Sequence, residues 1–93
     1  MRITFDPAKR DRTLKERGLD FAEAPLIFAG PTYTALDDRR DYGEFRYITV
    51  GLLRNRMVAM VWTPRYEARH IISLRKANTR EAKKYKDKMV RSG

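Results

Sequence analysis

The sequence predicts an α+β fold: a small twisted, mainly antiparallel sheet with two N-terminal helices and a C-terminal helix, in one domain over residues 1–93. Three observations carry this expectation. Apolar runs between residues 32 and 76 are separated only by short polar turns, the pattern of consecutive antiparallel strands. Helix-start signals flank that region, Asp6-Pro7 on one side and Asn78 with Glu81 on the other. With 93 residues, 42% of them hydrophobic, the chain is long enough for one core, too short for two, and too apolar to stay disordered.

Residues 2–5 read as a first strand. Asp6 caps a helix over residues 7–17, with Pro7 in the first turn, where a missing N–H costs nothing, and Gly18 as the stop. This helix carries Lys9, Arg10, Arg12, Lys15 and Arg17 but few apolar residues beyond Ala8 and Leu14, so it reads as a docking surface more than a core element. A second helix start lies at Asp20, with Glu23 placed as in a capping box and Phe21, Ala24 and Phe28 as its stripe. Pro25 either kinks that helix or delays its start, and Gly30-Pro31 ends it.

Strands follow at 32–36, 45–53, 57–65 and 69–76. Residues 57–62 are almost continuously apolar, as expected of a central strand. Residues 37–44, D-D-R-R-D-Y-G-E, carry several carboxylates without the ligand spacing of a calcium loop, so they read as a polar hairpin loop. Asn78 then caps the last helix with Glu81 in the reciprocal position, and Ala82, Tyr85 and Met89 form its apolar stripe.

Composition narrows the chemistry. The absence of cysteine excludes disulfides, thiolate zinc sites and cysteine nucleophiles, and the single histidine, His70, argues against a histidine-built metal site, so no metal and no cofactor are expected. No apolar run approaches the roughly 18 residues of a transmembrane helix, and the N-terminus lacks a signal-peptide core, so a cytoplasmic protein without a membrane partner is expected. A net charge of +9 points to polyanions, either nucleic acid or an acidic protein. Much of it is concentrated between Arg75 and Arg91, which hold eight cations and two anions.

That basic tail follows a polar constellation. Ser73 and Arg75, two apart on a strand, share a face, while Glu81 and Tyr85, four apart on a helix, are stacked neighbours. These groups can hold a phosphate, or they are a solvated strand end followed by an ordinary basic helix. His70 sits at odd spacing from Ser73 and Arg75, which places it on the opposite strand face and makes it structural.

The order of motifs resembles a known family. Phe5-Asp6-Pro7 with Lys9, R-G-L-D-F at 17–21, D-D-R-R-D-Y-G-E at 37–44, and R-x-I-I-S-x-R-K-A from Arg69 followed by E-x-x-x-Y together resemble the BrnT family of bacterial toxins. The resemblance spans almost the whole chain. It implies a RelE-like fold and a type II toxin that cleaves RNA, inhibits translation and growth, and is neutralised by a cognate ribbon-helix-helix antitoxin (BrnA-like). DNA is then met only indirectly, through the antitoxin. Where many members carry Lys-His-Gly, this chain has Glu16-Arg17-Gly18. Arginine keeps the cation and loses a group able to exchange a proton near neutral pH.

RNA cleavage without a metal requires removal of the 2′-hydroxyl proton, stabilisation of a dianionic phosphorane and protonation of the departing 5′-oxygen. Arg65 and Arg75, at two strand ends, are expected to converge on the phosphate. Glu81, if burial raises its pKa, and Tyr85, if cations lower its own, are the proton-transfer candidates; helix cap and core stripe are their alternative roles. Lys9, Lys15, Arg17, Ser73, Lys76 and Arg80 are the expected RNA-binding residues, and residues 9–17 with the tail 83–91 the surface for an acidic antitoxin. A non-catalytic basic nucleic-acid-binding module is the competing reading, and formation of cleaved product separates the two.

Overall fold

The computed structural model of the chain describes residues 2–92. Its strands are β1 (Arg2–Phe5), β2 (Tyr33–Leu36), β3 (Tyr47–Leu53), β4 (Arg56–Arg65) and β5 (Ala68–Lys76), and its helices are α1 (Pro7–Arg17), α2 (Ala24–Ala29) and α3 (Thr79–Ser92). The strands form one mixed sheet in the order β1-β5-β4-β3-β2. β2 to β5 make the expected antiparallel meander, and β1 adds in parallel along the outer edge of β5. Among the described residues no helix is long and apolar enough to cross a membrane.

Local chemistry explains the element boundaries. Asp6 accepts the Ala8 N–H to start α1, and Gly18, in the left-handed region at φ 68°, returns its N–H to the Leu14 carbonyl to end it. The second N-terminal helix is shorter and starts later than the Asp20 and Glu23 signals suggested. Asp20 caps a single 3-10 turn, Phe21–Glu23, and α2 begins only at Ala24, which puts Pro25 in its first turn where no donor is lost. The Glu23 carboxylate pairs instead with Arg54. Both hairpins that flank β4 turn on two residues with positive φ, Arg54-Asn55 and Tyr66-Glu67, the backbone that matches strand twist.

The sheet has two unequal faces. One is covered by the 3-10 turn and α2, and buries Leu19, Phe21, Ile27, Leu53, Val58, Met60, Ile71 and Leu74. We call it the α2 face. The other meets α3 over β2 and β3, where Tyr85 packs on Val50 and Ala59, and is otherwise open toward β5 and β1. α1 buries no residue, in keeping with its cationic composition.

An irregularity in β5 decides what lies on the α3 face. Val61 pairs with Ser73 while the next residue, Trp62, pairs with Ile71, leaving Ile72 as an extra residue. A one-residue bulge reverses the alternation of side chains beyond it. Ile71 and Leu74, three apart, therefore both enter the α2 core. His70, opposite Thr63, comes to share the α3 face with Ser73 and Arg75. The expectation that His70 faces away from them is corrected by this bulge.

Candidate nucleic-acid interface

Residues 37–46, of which 37–44 are read from sequence as a polar hairpin loop and 45–46 as the start of the next strand, form an ordered strap across the α3 face between β2 and β3. The Asp37 N–H donates to the Arg46 carbonyl at 2.7 Å and closes its base. The Asp37 carboxylate, fully buried, receives Arg39 Nε at 2.7 Å, Arg39 Nη2 at 2.8 Å and the Tyr42 hydroxyl at 3.2 Å. The Thr63 hydroxyl donates to the Phe45 carbonyl at 2.6 Å, and Arg65 donates to Glu44 at 3.0 and 3.2 Å. Two β4 side chains, Thr63 and Arg65, thus hold the end of the strap down on the sheet, and the contacts of Asp37 order it from within.

A cleft of about 340 Å³ opens between the strap, β2, β3 and the first turns of α3. Arg75 lies at its wall, gripped by both oxygens of Glu81, Nη1 to Oε1 at 2.7 Å and Nη2 to Oε2 at 2.9 Å. Glu81 also accepts the Asn78 N–H at 2.9 Å while Asn78 Oδ1 accepts the Glu81 N–H at 2.8 Å. The capping box foreseen from sequence and the ion pair are thus one structure. Arg39, Arg80 and Lys84 complete the cationic lining.

Electrostatics assigns these groups their charge states. The hydrogen bonds from Arg75 hold the Glu81 carboxyl below the usual glutamate range despite its burial, and Arg39 does the same for Asp37. Glu81 is therefore a firm anion, and the raised pKa that a proton-transfer role requires is absent. It acts as the clamp that orients Arg75.

The other expected site residues separate. Tyr85 is buried at 6% exposure against Val50 and Ala59, and its hydroxyl donates to the Pro31 carbonyl at 3.3 Å, so it belongs to the core and not to the cleft lining. Arg65 and Arg75 do not converge. Arg75 lies opposite Ala59, six positions along β4 from Arg65, a separation on the order of 20 Å at the rise of a strand. Adjacent antiparallel strands end at opposite sides of a sheet, so the meander pattern itself held this answer.

Ser73 lies half-buried between His70 and Arg75, and Arg80 stands exposed on the cleft rim. Lys76, opposite Val58, falls on the α2 face and is exposed. Lys15 is an exposed residue of α1, and Arg17 Nη1 donates to the Leu74 carbonyl at 2.9 Å, bracing the part of β5 that β1 does not cover. Lys9 is half-buried and acts electrostatically on His70. Asp37 and Arg39 were missed as site residues, and Lys84, expected only in the antitoxin-docking tail, also lines the cleft. The strap motif D-D-R carried the signal for the first two.

Residues 5–81 match the family model described as ribonuclease toxin, BrnT, of type II toxin-antitoxin system. The chain belongs to the BrnT family. No curated protein matches it. The matched segment contains the strap, Arg65, His70, Ser73, Arg75 and the Glu81 clamp, whereas Tyr85 and the tail 83–91 lie beyond it. Membership in the BrnT family carries ribonuclease toxin function at the family level, with RNA as substrate and a cognate antitoxin as partner.

Proposed function

We propose that this BrnT-family chain, RelE-like in fold, is a cytoplasmic, metal-independent endoribonuclease. It cleaves RNA to inhibit translation and growth, and a ribbon-helix-helix antitoxin neutralises it. The observation that carries this reading is the clamped Arg75 in a cleft with Arg39, Arg80 and Lys84. A guanidinium has five N–H donors and Glu81 occupies two of them, so Arg75 keeps donors for a phosphate while Glu81 fixes its orientation. The cleft cations bind one phosphate of the strand. Arg65, on the order of 20 Å away, serves a different phosphate of the same strand, not the same transition state.

The test is cleavage of RNA by purified protein in EDTA, read as new 5′-hydroxyl ends. Arg75→Ala should lower cleavage at limiting RNA on the order of 10-fold or more, the scale of a lost charge-assisted hydrogen bond pair. Wild-type protein that produces no ends, or Arg75→Ala protein as active and as toxic as wild type, would sink the assignment.

A further inference from the structure

We propose that His70 is a catalytic residue of this chain, taking the proton of the attacking 2′-hydroxyl at its Nε2. The inference rests on the ribonuclease reading above. It begins from the bulge in β5, which turns the imidazole onto the open α3 face beside Ser73. Thr4 Oγ1, on the neighbouring β1, lies 2.8 Å from His70 Nδ1 and fixes the ring. In the tautomer that donates Nδ1–H to Thr4, the lone pair is on Nε2, the nitrogen left for substrate.

The surroundings suit a base next to a phosphate. Arg65 from β4 and Lys9 from α1 are the cations acting on the ring, and Glu44 of the strap and Asp6, the α1 cap, are the anions. Burial first, then Arg65, holds the imidazolium below the usual histidine range, so the ring is neutral and able to accept a proton at pH 7. The other proton-transfer candidates are already committed. Glu81 is clamped as an anion, Tyr85 is buried against a carbonyl, and Arg17 stays protonated.

The step balances without any co-reactant beyond water. Nε2 takes the 2′-hydroxyl proton, the freed oxygen forms a bond to phosphorus, and the P–O5′ bond breaks. The 5′-oxygen takes a proton from solvent, to which the imidazolium returns its own. The products are a 2′,3′-cyclic phosphate and a 5′-hydroxyl. Arg65 and Lys9 carry the charge on this phosphate. Arg75 lies four β4 positions further on, on the order of 13 Å, and holds a neighbouring phosphate of the strand.

The experiment measures cleavage of a short single-stranded RNA in EDTA from pH 5 to 9, by wild type, His70→Gln, His70→Ala and Thr4→Val. Wild-type kcat should rise with pH through one limb below neutrality and then level off. His70→Gln should lose on the order of 10²-fold or more in kcat with little change in KM, and lose that limb. Added imidazole should restore part of the His70→Ala rate, and Thr4→Val should move the limb while keeping the histidine. Arg75→Ala should show the converse, a raised KM with the limb intact. A His70→Gln enzyme with the wild-type kcat and pH limb overturns the proposal while leaving the ribonuclease reading standing. A folded His70→Ala protein that imidazole does not rescue also overturns it. Wild-type protein without any cleavage overturns both.

Discussion

Glu81 shows how one side chain serves two levels of structure. It closes the N-terminus of α3 and, with the same carboxylate, clamps Arg75 across the cleft. Glu81→Ala removes a cap bond and leaves a half-buried guanidinium without its partner, so it should cost on the order of 2 kcal/mol. Glu81→Gln keeps an acceptor for the Asn78 N–H and should cost less. Urea unfolding midpoints check the order, and equal losses would show that the cap contributes nothing. Tyr85 makes the opposite case. Its hydroxyl bond is long and its ring is core, so Tyr85→Phe should cost less than about 1 kcal/mol and leave cleavage within about twofold of wild type. A 10²-fold loss of rate in that variant would return Tyr85 to the list of catalytic groups.

At the scale of elements, the sheet and α2 meet where β3 has no side chain. A Cβ on Gly51 would stand 3.0 Å from Ile27 Cγ2 and 3.1 Å from Thr32 Cγ2, tighter than van der Waals contact. Ile27 is fully buried and has no room to retreat. Gly51→Ala should therefore destabilise by about 1–3 kcal/mol through overpacking, although alanine suits a strand better than glycine. A melting temperature equal to or above wild type would mean that α2 rides loosely on the sheet.

For the whole molecule, charge sets both stability and encounter. The carboxyls of Asp20, Asp37, Glu44 and Glu81 are all held below their ordinary values, each chiefly by an arginine hydrogen bond. Their stabilising contribution is complete above the unfolded carboxylate range, about pH 4–4.5, and is lost as pH falls through the lower folded values. His70 adds an earlier step. Its folded pKa lies below the ordinary value near 6.5, so folding is unpenalised above that pH and increasingly penalised as pH falls below it. Melting followed by circular dichroism should thus show a small decline starting near pH 6.5, absent in His70→Gln, and a steeper one below about pH 4.5. The net +9 bears on the antitoxin. If the tail of α3 docks an acidic segment, Lys83→Glu, Lys84→Glu and Lys88→Glu combined should slow association with a cognate antitoxin and flatten its salt dependence. An on-rate unchanged at low salt would leave that tail to RNA.

Much of this architecture was legible in the residues alone. Alternating apolar residues placed the four meander strands to within about two residues, Asp6 and Gly18 bounded α1, and Asn78 with Glu81 opened α3, because caps, turns and side-chain period act within a few residues of chain. The family motifs along residues 5–81 belong to the same local record. Its limits are visible in the same strands. Ile72 and Leu74 keep the spacing of two that a regular strand uses, so the residues of β5 carried no mark of the bulge, and only pairing with β4 decided that Ile72 was the extra residue. The parallel seat of β1 placed Thr4 against His70 across 66 residues of chain, and the strap brought Asp37 and Arg39 to Arg75. Sequence determined which elements form, since their signals are short-range. Tertiary structure decided which face each functional side chain shares, because one unpaired residue in one strand reverses every side chain beyond it.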